Sequence, residues 1–192
     1  MAKIMETPPL ETERLILRPI AVEHAETLEK HFVNWNLVKN LNDKIPWPYP
    51  KGGVKEHIET DALPRMKAGK GATWVLFLKE SPKEPIGRLD LFYELKDERE
   101  SHRGFWLAEP YWGKGYMSEA VYATNDYAFD VVGMKEMRFD NYADNVGSHR
   151  IKEKTGAKFI RAEEQKWRGE DREMEIWELT AENWRKFKQR GS

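Results

Sequence analysis

The amino-acid sequence predicts one α/β (α+β) domain, in which a central twisted sheet, mixed but mostly antiparallel, is flanked by helices. The first observation is the order of periodic segments along the 192 residues, βααβββαβαββα. The second is that the sequence shows no internal repeat and no Gly-, Ser- or Pro-rich linker that would divide it. A hydrophobic content of 40% suffices for one core. We therefore expect residues 1–192 to form a single domain.

The first third of the chain predicts one strand and two amphipathic helices. Residues 13–18 are a short strand, and residues 21–33 and 53–63 are helices because each has apolar side chains on one face. Those apolar side chains are Ala25, Leu28 and Phe32 in the first helix and Val54, Ile58 and Ala62 in the second. Pro64 is expected to end or kink the second helix, since proline lacks the N–H that a helix interior uses.

The segment 34–50 between these helices is predicted to be irregular. It contains Ile45-Pro-Trp-Pro-Tyr-Pro50. Proline fixes its own φ angle and restricts the residue before it, so this stretch is stiff and extended. An aromatic loop of this kind either lines a pocket or caps a core, and the sequence leaves both alternatives open.

The middle of the chain predicts a hairpin followed by a further strand. Residues 72–79 and 86–95 are strands joined by a turn at 81–85, which contains two prolines. Residues 96–101 are a charged, solvated loop. The next strand, 102–107, leads into a glycine-containing turn.

The last part alternates helices with strands. Residues 117–131 form a helix that Gly133 stops, and residues 145–155 form a shorter helix that Gly156 ends. The apolar stripe of the longer helix comprises Met117, Ala120, Val121, Thr124, Ala128 and Val131. The remaining strands are 136–142, 158–168 and 172–179, the last two around a turn at Gly169. Thr180 is the predicted N-cap of a basic C-terminal helix.

Composition excludes several classes of function. The absence of cysteine rules out disulfides, thiolate nucleophiles and cysteine metal sites, and the five histidines lack metal-ligand spacing. A net charge of −1 gives no support for binding nucleic acid or an anionic membrane. No apolar run approaches the ~20 residues of a membrane span. The first ten residues also lack the apolar core of a signal peptide. The sequence therefore predicts a cytoplasmic protein without a metal.

One stretch combines a strand end, a turn and a helix start. It runs Leu107-Ala-Glu-Pro-Tyr-Trp-Gly-Lys-Gly-Tyr-Met-Ser-Glu-Ala120. Glycine lets a ligand approach the main chain, and the first amides of a helix attract anions, so the stretch predicts a phosphate cradle. The alternative is an ordinary turn. A P-loop is excluded because Gly115 follows Gly113-Lys114, and a dinucleotide fingerprint is excluded because Ser118 replaces its third glycine.

A second motif gives this stretch a meaning. Asn145-Val-Gly-Ser-His-Arg-Ile-Lys-Glu-Lys-Thr-Gly156 resembles the Asn-x-x-Ser-x-Arg-x-x-Glu-Lys-x-Gly pattern of the GCN5-related N-acetyltransferase (GNAT) superfamily. Gly104–Ala120 is similar to the Gly-x-Gly signature of its RimJ/RimL type, which acetylates N-terminal amines of ribosomal proteins and other amines. The resemblance covers roughly residues 12–185. It implies a single N-acetyltransferase domain of the GNAT type.

The resemblance implies acetyl-CoA as co-substrate, with no metal. The pyrophosphate would meet the amides after Gly113, and the pantetheine arm would pair with the strand that ends at Leu107. The cofactor-binding residues implied are Trp106, Leu107, Trp112, Gly113, Lys114, Gly115, Tyr116, Met117, Asn145 and Ser148. The main-chain amide of Leu107 is the candidate donor to the oxyanion. Lys114 either adds charge near the phosphates or is solvated.

Two residues are candidates for the proton transfers. Ser148 matches the family position near the thiolate and would act as general acid, or it caps the 145–155 helix. His102 would act as general base, or it is simply exposed at the start of its strand. Relatives use a glutamate on the next-to-last strand. An ungapped match puts Gln165 there, with Glu164 adjacent, so a water-relayed base, or none, also stays open.

The acceptor is predicted only by class. Trp47 and Tyr49 would wall the acceptor site together with Glu164, and the acceptor would be a peptide N-terminal α-amine or a small-molecule amine. The protein would work as a monomer or homodimer. Two other functions stay open: an acyl-CoA binding or sensing module without turnover, and a nucleotide-binding protein with an atypical phosphate loop.

Overall fold

The computed structural model describes residues 6–93 and 102–190. The predicted charged loop 96–101 lies outside these ranges, as do residues 94 and 95, the predicted end of the preceding strand. Residues 1–5, half of the N-terminal stretch considered for a signal peptide, are likewise outside them.

The strands form two sheets. The strands are β1 (Leu10–Glu11), β2 (Leu15–Pro19), β3 (Gly71–Leu78), β4 (Ser81–Phe92), β5 (His102–Leu107), β6 (Glu136–Tyr142), β7 (Lys158–Trp167) and β8 (Glu170–Thr180). The first sheet has the order β1-β2-β3-β4-β5 and the second β6-β8-β7. Every hydrogen-bonded strand pair in the described ranges is antiparallel, so the predicted parallel component corresponds to no ladder there. β5 and β6 lie side by side at the facing edges of the two sheets.

Helices cover both faces of the larger sheet. They are α1 (Ala25–Phe32), α2 (Trp35–Val38), α3 (Gly53–His57), α4 (Leu63–Lys67), α5 (Tyr116–Asp126), α6 (Val146–Glu153) and α7 (Ala181–Arg190). β3 shows the layering best, because all eight of its residues are buried. Trp74 and Leu76 belong to the core shared with α5 and α7, whereas Val75 and Phe77 belong to the core under α1 and α3. Alternate side chains of one central strand thus feed two apolar layers.

The second predicted helix continues past Pro64. α3 and α4 are joined by a π-helical turn, Ile58–Ala62, in which the Leu63 N–H bonds the Ile58 carbonyl five residues back. Pro64 then stands in the first turn of α4, where its missing N–H costs little. The predicted face is nevertheless correct, since Val54, Ile58 and Ala62 are buried.

Three further elements differ from the sequence-based prediction. The predicted turn 81–85 belongs to β4; β5 pairs with β4 only from Gly87 onward, so the prolines lie where one side of the strand is free. Val131 is 62% exposed, because α5 passes into a π-helical turn at Tyr127–Val132 that rotates the apolar stripe. α2, with only four residues, is too short to show a period within the segment predicted to be irregular.

The predicted punctuation of the last part is confirmed. Gly133 has a φ of 80° and ends the π turn after α5. The side chain of Thr180 accepts a hydrogen bond from the Asn183 N–H at 3.1 Å, which is the bond expected of an N-cap. The β3–β4 hairpin is also confirmed.

Candidate active site

Two clefts meet at the facing edges of the sheets. The loop cleft, of about 780 Å³, lies between the end of β5, the segment 111–118 and the start of α6. The sheet cleft, of about 940 Å³, lies between α1, α3, the segment 40–50 and strands of both sheets. Six residues border both clefts: Asn40, Leu41, Phe105, Trp106, Asn145 and Ser148. We call these six residues the junction.

The glycine turn of the loop cleft presents main-chain amides. Gly113 and Gly115 have φ angles of 74° and 83°, in the left-handed region that favours glycine. A Cβ atom on Gly113 would meet nothing within 4 Å, so this side of the turn is open. Gly115 is the N-cap of α5, and the Glu119 N–H bonds the Gly115 carbonyl at 3.1 Å. The amides of 116–118 before it have no acceptor within the helix and can receive an anion.

Arg14, which the sequence analysis did not identify, holds this turn in place through hydrogen bonds. The Arg14 Nε donates to Glu119 at 2.7 Å, and its Nη1 donates to the Lys114 carbonyl at 3.0 Å. Burial would raise the pKa of Glu119, but hydrogen bonds from Thr12 and Arg14 outweigh it and leave that pKa lowered. The Lys114 ammonium lies 5.6 Å from the Tyr111 ring centroid, and Lys114 is not among the residues that line the loop cleft.

The end of β5 has one edge paired and one edge free. The Ala108 N–H donates to the Ile86 carbonyl of the β4 side at 2.8 Å. Because main-chain groups alternate along a strand, those of Trp106 also face β4, and those of Phe105 and Leu107 face away. The Leu107 carbonyl accepts the Trp112 indole N–H at 2.6 Å on that free side. Leu107 therefore fits its predicted main-chain role, whereas Trp106 contributes a side chain to the cleft wall.

Asn145, rather than Ser148, caps α6. The Asn145 side chain accepts the Ser148 main-chain N–H at 3.1 Å, which is the N-cap bond. The Ser148 hydroxyl oxygen accepts a hydrogen bond from the Lys152 ammonium at 2.9 Å. The hydroxyl is thus free of capping, and its own proton remains available for donation into the junction.

Lys152 is a second residue that the sequence analysis did not identify. Its Nζ also donates to the Asn141 side-chain oxygen at 2.6 Å and to the Asp140 carbonyl at 3.2 Å, and the residue is only 3% exposed. Burial, and then the charge of Arg103, lowers the pKa of Lys152 to about 7. The one available signal was its spacing of four residues from Ser148, which puts both side chains on one face of a helix.

Asn141 connects Lys152 to a carboxylate. The Asn141 amide nitrogen donates to Glu175 at 2.9 Å, and Glu175 also accepts bonds from His149 and Trp177. Burial alone would raise the pKa of Glu175, but these hydrogen bonds, first that of His149, leave it lowered. Glu175 is therefore an anion whose contacts are already used by its neighbours.

His102 is not brought to the junction. It lies at the opposite end of β5 from Leu107, about 16 Å away at the rise of an extended strand. Its ring is stacked on Phe92 with centroids 4.2 Å apart, at the rim of the sheet cleft. A direct role as base at the junction does not fit this position.

The predicted acceptor-site residues divide between the cleft and the outer surface. Tyr49 lines the sheet cleft and packs on Phe32 with ring centroids 4.8 Å apart. Trp47 is 37% exposed and packs against Trp35, and it is not among the residues that line the cleft. Glu164 is exposed on β7 outside the cleft lining, whereas its neighbour Gln165 is part of that lining.

The β7–β8 hairpin holds the segment 39–45, which borders both clefts at Asn40 and Leu41. We call it the roof segment. The Trp167 indole donates to the Leu41 carbonyl at 3.2 Å, and the Arg172 guanidinium donates to the Lys39 carbonyl at 2.8 Å. A third bond joins Arg168 to the Ile45 carbonyl. These bonds to three carbonyls fix the segment 39–45, which lacks ladder partners of its own.

The sheet cleft contains two arginines in contrasting settings. Arg88 donates to the Asp90 carboxylate at 2.8 Å, and the charge of Arg88 helps to keep the pKa of Asp90 lowered although burial opposes this. Arg103 is 7% exposed and lies over the Phe139 ring at 4.5 Å, and its hydrogen-bond partner among the described residues is the neutral Asn125 side chain. Burial lowers the pKa of Arg103 to about 9.

Comparison with known proteins identifies the family. The model of the acetyltransferase (GNAT) domain family matches residues 14–158. The chain belongs to the GNAT acetyltransferase family, and it is accordingly an acyltransferase. Enzymes of this family use acetyl-CoA as the acyl donor.

Individual relatives agree with this assignment. A Bacillus subtilis (strain 168) protein described as an uncharacterized N-acetyltransferase, YoaA, is 25% identical over 154 residues, covering 78% of this chain and 82% of the relative. The structure of RimL, a ribosomal L7/L12 alpha-N-protein acetyltransferase in complex with coenzyme A, matches with a TM-score of 0.78 at 16% identity, over 90% of this chain and 98% of that one. A GNAT acetyltransferase from Bacillus anthracis matches at 0.77 and 17%, over 91% and 99%. The two structural likenesses concern the fold.

Two searches of the described ranges were negative. None of the helices there is both long and apolar enough to cross a membrane. The same parts of the chain contain no group of three or more acidic or histidine side chains arranged to hold a metal ion.

Proposed function

We propose that the protein transfers an acetyl group from acetyl-CoA to a primary amine by direct attack in a ternary complex. Coenzyme A occupies the loop cleft, and the amine enters from the sheet cleft. The observation that carries this proposal is the junction, where the two clefts share Phe105, Trp106, Asn145 and Ser148 beside the free edge of β5. A thioester and an amine that enter from different sides can meet there without a covalent enzyme intermediate.

The loop cleft suits the charge and shape of coenzyme A. The pyrophosphate fits the amides that follow Gly113, where the helix dipole of α5 adds a favourable field. Basic side chains border the same cleft at Lys39, Arg150 and Lys154, while the one acidic residue, Asp144, is paired with Arg172. The pantetheine amides find main-chain groups on the free edge of β5 at Phe105 and at the Leu107 N–H, since the Leu107 carbonyl already accepts the Trp112 indole N–H.

The residues of the junction supply the acid side of the chemistry. The amine nitrogen bonds to the acyl carbon while the C–S bond breaks, and one proton passes from nitrogen to sulfur. The Leu107 amide stabilises the oxyanion, the Ser148 hydroxyl gives its proton to the sulfur, and the serine oxygen regains through solvent a proton released by the amine nitrogen. The Lys152 ammonium donates to the Ser148 oxygen, and this bond orients the hydroxyl proton away from Lys152.

The base side needs less from the protein. None of the six junction residues carries a carboxylate or an imidazole. An α-amino group, with a pKa of about 8, is partly neutral at physiological pH, whereas a lysine side chain at about 10.4 is not. We therefore propose an α-amine, of a peptide or of a small molecule, as the acceptor. Its ammonium form loses one proton to water before the neutral amine attacks. RimL, one of the structural neighbours, is an alpha-N-protein acetyltransferase.

Thiol release from acetyl-CoA, measured against a panel of N-terminal peptides and small amines, tests the proposal. We expect turnover with at least one α-amine and a slower reaction with matched ε-amines. Calorimetry of coenzyme A binding runs in parallel. Tight binding without turnover across the panel would leave an acyl-CoA binding module, and absence of binding would remove the loop cleft from the donor site.

A further inference from the structure

Two buried cations of the sheet cleft have no acidic side-chain partner among the residues that the structure describes. Arg103 and Lys152 are 7% and 3% exposed, and both line this cleft. Within the described chain, the hydrogen-bond partners of Lys152 are Asn141, Ser148 and a main-chain carbonyl, and that of Arg103 is Asn125. Buried Lys and Arg side chains are rare unless they are paired, because removing a charge from water is costly.

In the described part of the chain, no carboxylate contacts either cation. The Arg103 Nε is buried and has no hydrogen-bond partner in the described ranges. The charge of Arg103 is the second cause, after burial, of the lowered pKa of Lys152, so the two cations repel each other. The carboxylates that act on Lys152 are Asp140 of β6, which is exposed, and Glu175 of β8, which already bonds His149.

Arg88, which lines the same cleft and is paired with a carboxylate, provides a comparison for Arg103. Arg88 is buried to a similar degree, and Asp90 accepts two of its N–H bonds at 2.8 and 3.2 Å. Arg65 also reaches Asp90. Arg88 is therefore held by a carboxylate. Within residues 6–93 and 102–190, no carboxylate is paired with Arg103.

We propose that Arg103 and Lys152 form a subsite for a carboxylate carried by one of the two substrates. This inference rests on the acyl transfer proposed above. The subsite adjoins the junction: Lys152 bonds Ser148 directly, and Arg103 lies two positions from Phe105 on the same face of β5, about 7 Å along the strand. A carboxylate there is a few bonds from the reacting carbon or nitrogen.

The same carboxylate can arrive from either substrate. On the acyl donor, it would be the free end of a dicarboxylic acyl group attached to coenzyme A. On the acceptor, it would be an acidic side chain or an acidic terminus close to the attacking amine. Both fit the charge-assisted hydrogen bonds that Arg and Lys make to carboxylates. Matched substrate pairs separate the two sources.

The donor pair is succinyl-CoA and butyryl-CoA, and the acceptor pair is alanyl-glutamate and alanyl-glutamine. We expect one pair to show a preference in kcat/KM of about tenfold or more for the carboxylate member. The pair that shows it identifies which substrate carries the group. Calorimetric affinities for both pairs provide a readout that does not depend on turnover. Equal affinity and equal kcat/KM within both pairs would overturn the subsite.

Arg103→Gln should reduce that preference to less than about threefold. The control is Lys166→Gln, since Lys166 also lines the sheet cleft but is exposed and paired with Asp171 at 2.7 Å. The control should keep the preference of the unmodified protein. If Arg103→Gln fails to fold, the substrate pairs with the unmodified protein still decide. An unchanged preference in a folded Arg103→Gln protein would show that Arg103 only packs.

A pH series adds a signature that packing alone would not give. A bound carboxylate favours the protonated form of Lys152, whose pKa without the ligand is about 7. The preference should therefore be highest near pH 6 and should fall as the pH rises to 8, where Lys152 is mostly neutral and Arg103, with a pKa of about 9, is still mostly charged. Turnover without any preference would refute the subsite and keep the acyl transfer. If a carboxylate member binds preferentially but no thiol is released, the subsite is supported and the acyl transfer is refuted.

Discussion

The two clefts are built from different materials. The part of the loop cleft beside α5 presents main chain: a glycine turn with two left-handed residues, the first amides of α5 and the free edge of β5. The sheet cleft is formed by side chains that come from α1, α3, α6, both sheets and the segment 40–50. A main-chain site depends on local backbone geometry, so it can be recognised from short motifs. A side-chain site depends on which distant residues the fold brings together.

Because of this difference, substitutions in the two clefts should have different consequences. In the proposed function, the loop cleft binds the same molecule, coenzyme A, for every acceptor, and substitutions at its two glycines act on the backbone. Residues of the sheet cleft can change without altering the glycine turn. Variants on either side should therefore affect one substrate and leave the other, and the following predictions are ordered by the size of the expected effect.

The largest effect is expected at the glycine turn. Gly113→Asp should weaken coenzyme A binding about 100-fold, because it places a negative charge beside the pyrophosphate and strains a residue with a φ of 74°. Calorimetry measures the affinity. Gly169→Asp is the matched control: Gly169 has a φ of 89° and, like Gly113, no atom within 4 Å of its Cβ position, but it lies in the β7–β8 turn. If both variants bind coenzyme A equally well, the turn is not the phosphate site.

The second effect concerns the junction, where the two clefts cease to be separable. Ser148→Ala should lower kcat by about tenfold or more, because the departing sulfur loses its proton donor, and should change the acetyl-CoA dissociation constant less than twofold. Thr60→Ala is the control, since Thr60 also lines the sheet cleft but its hydroxyl bonds the Glu56 carbonyl at 2.8 Å. A drop in affinity with unaltered kcat would instead assign Ser148 to binding alone.

The fold was predictable to the extent that it depends on local patterns. Periodicity located the helices and strands, and Gly133 and Thr180 marked ends correctly. Patterns failed where backbone register shifted, as in the π turn that exposes Val131 and in the bulged start of β4. A one-residue change of helical register turns a side chain outward, and no local preference announces it.

The candidate site, like the fold, was predictable only where it depends on short local motifs. The glycine turn, Leu107, Asn145 and Ser148 belong to two short motifs, and the structure brings them to one cleft. Trp47 and His102 were assigned by their position along the chain, and the structure places Trp47 outside both clefts and His102 at the far rim of the sheet cleft. Lys152, Arg103 and Arg14 acquire their roles through contacts between distant elements.

A smaller effect is expected in the wall of the sheet cleft. Tyr49→Ala should raise the KM for the acceptor about fivefold, because an apolar wall that packs on Phe32 is removed. The dissociation constant for coenzyme A should stay within twofold. Trp47→Ala is the neighbouring control, since Trp47 packs on Trp35 outside the cleft. An equal rise in KM for both variants would restore Trp47 to the acceptor site.

The smallest effect is expected behind the glycine turn. Arg14→Gln should weaken coenzyme A binding about two- to threefold, because the Lys114 carbonyl loses its hydrogen bond and the turn becomes less ordered. Arg18→Gln serves as the control, since Arg18 lies on β2, which begins directly after Arg14, but bonds the Pro82 carbonyl at 2.9 Å. Equal affinities for the two variants would show that Glu119 and the glycines alone keep the turn in place.

The roof segment has a consequence for how each substrate affects the binding of the other. Asn40 and Leu41 face both clefts, and the β7–β8 hairpin holds the segment through carbonyls at Lys39, Leu41 and Ile45. In the proposed function, a ligand that orders this segment from the loop cleft also orders the surface that the second substrate meets. By reciprocity, the second substrate should raise the affinity for the first by the same factor. The affinities for the two substrates would therefore be coupled through one short stretch of chain.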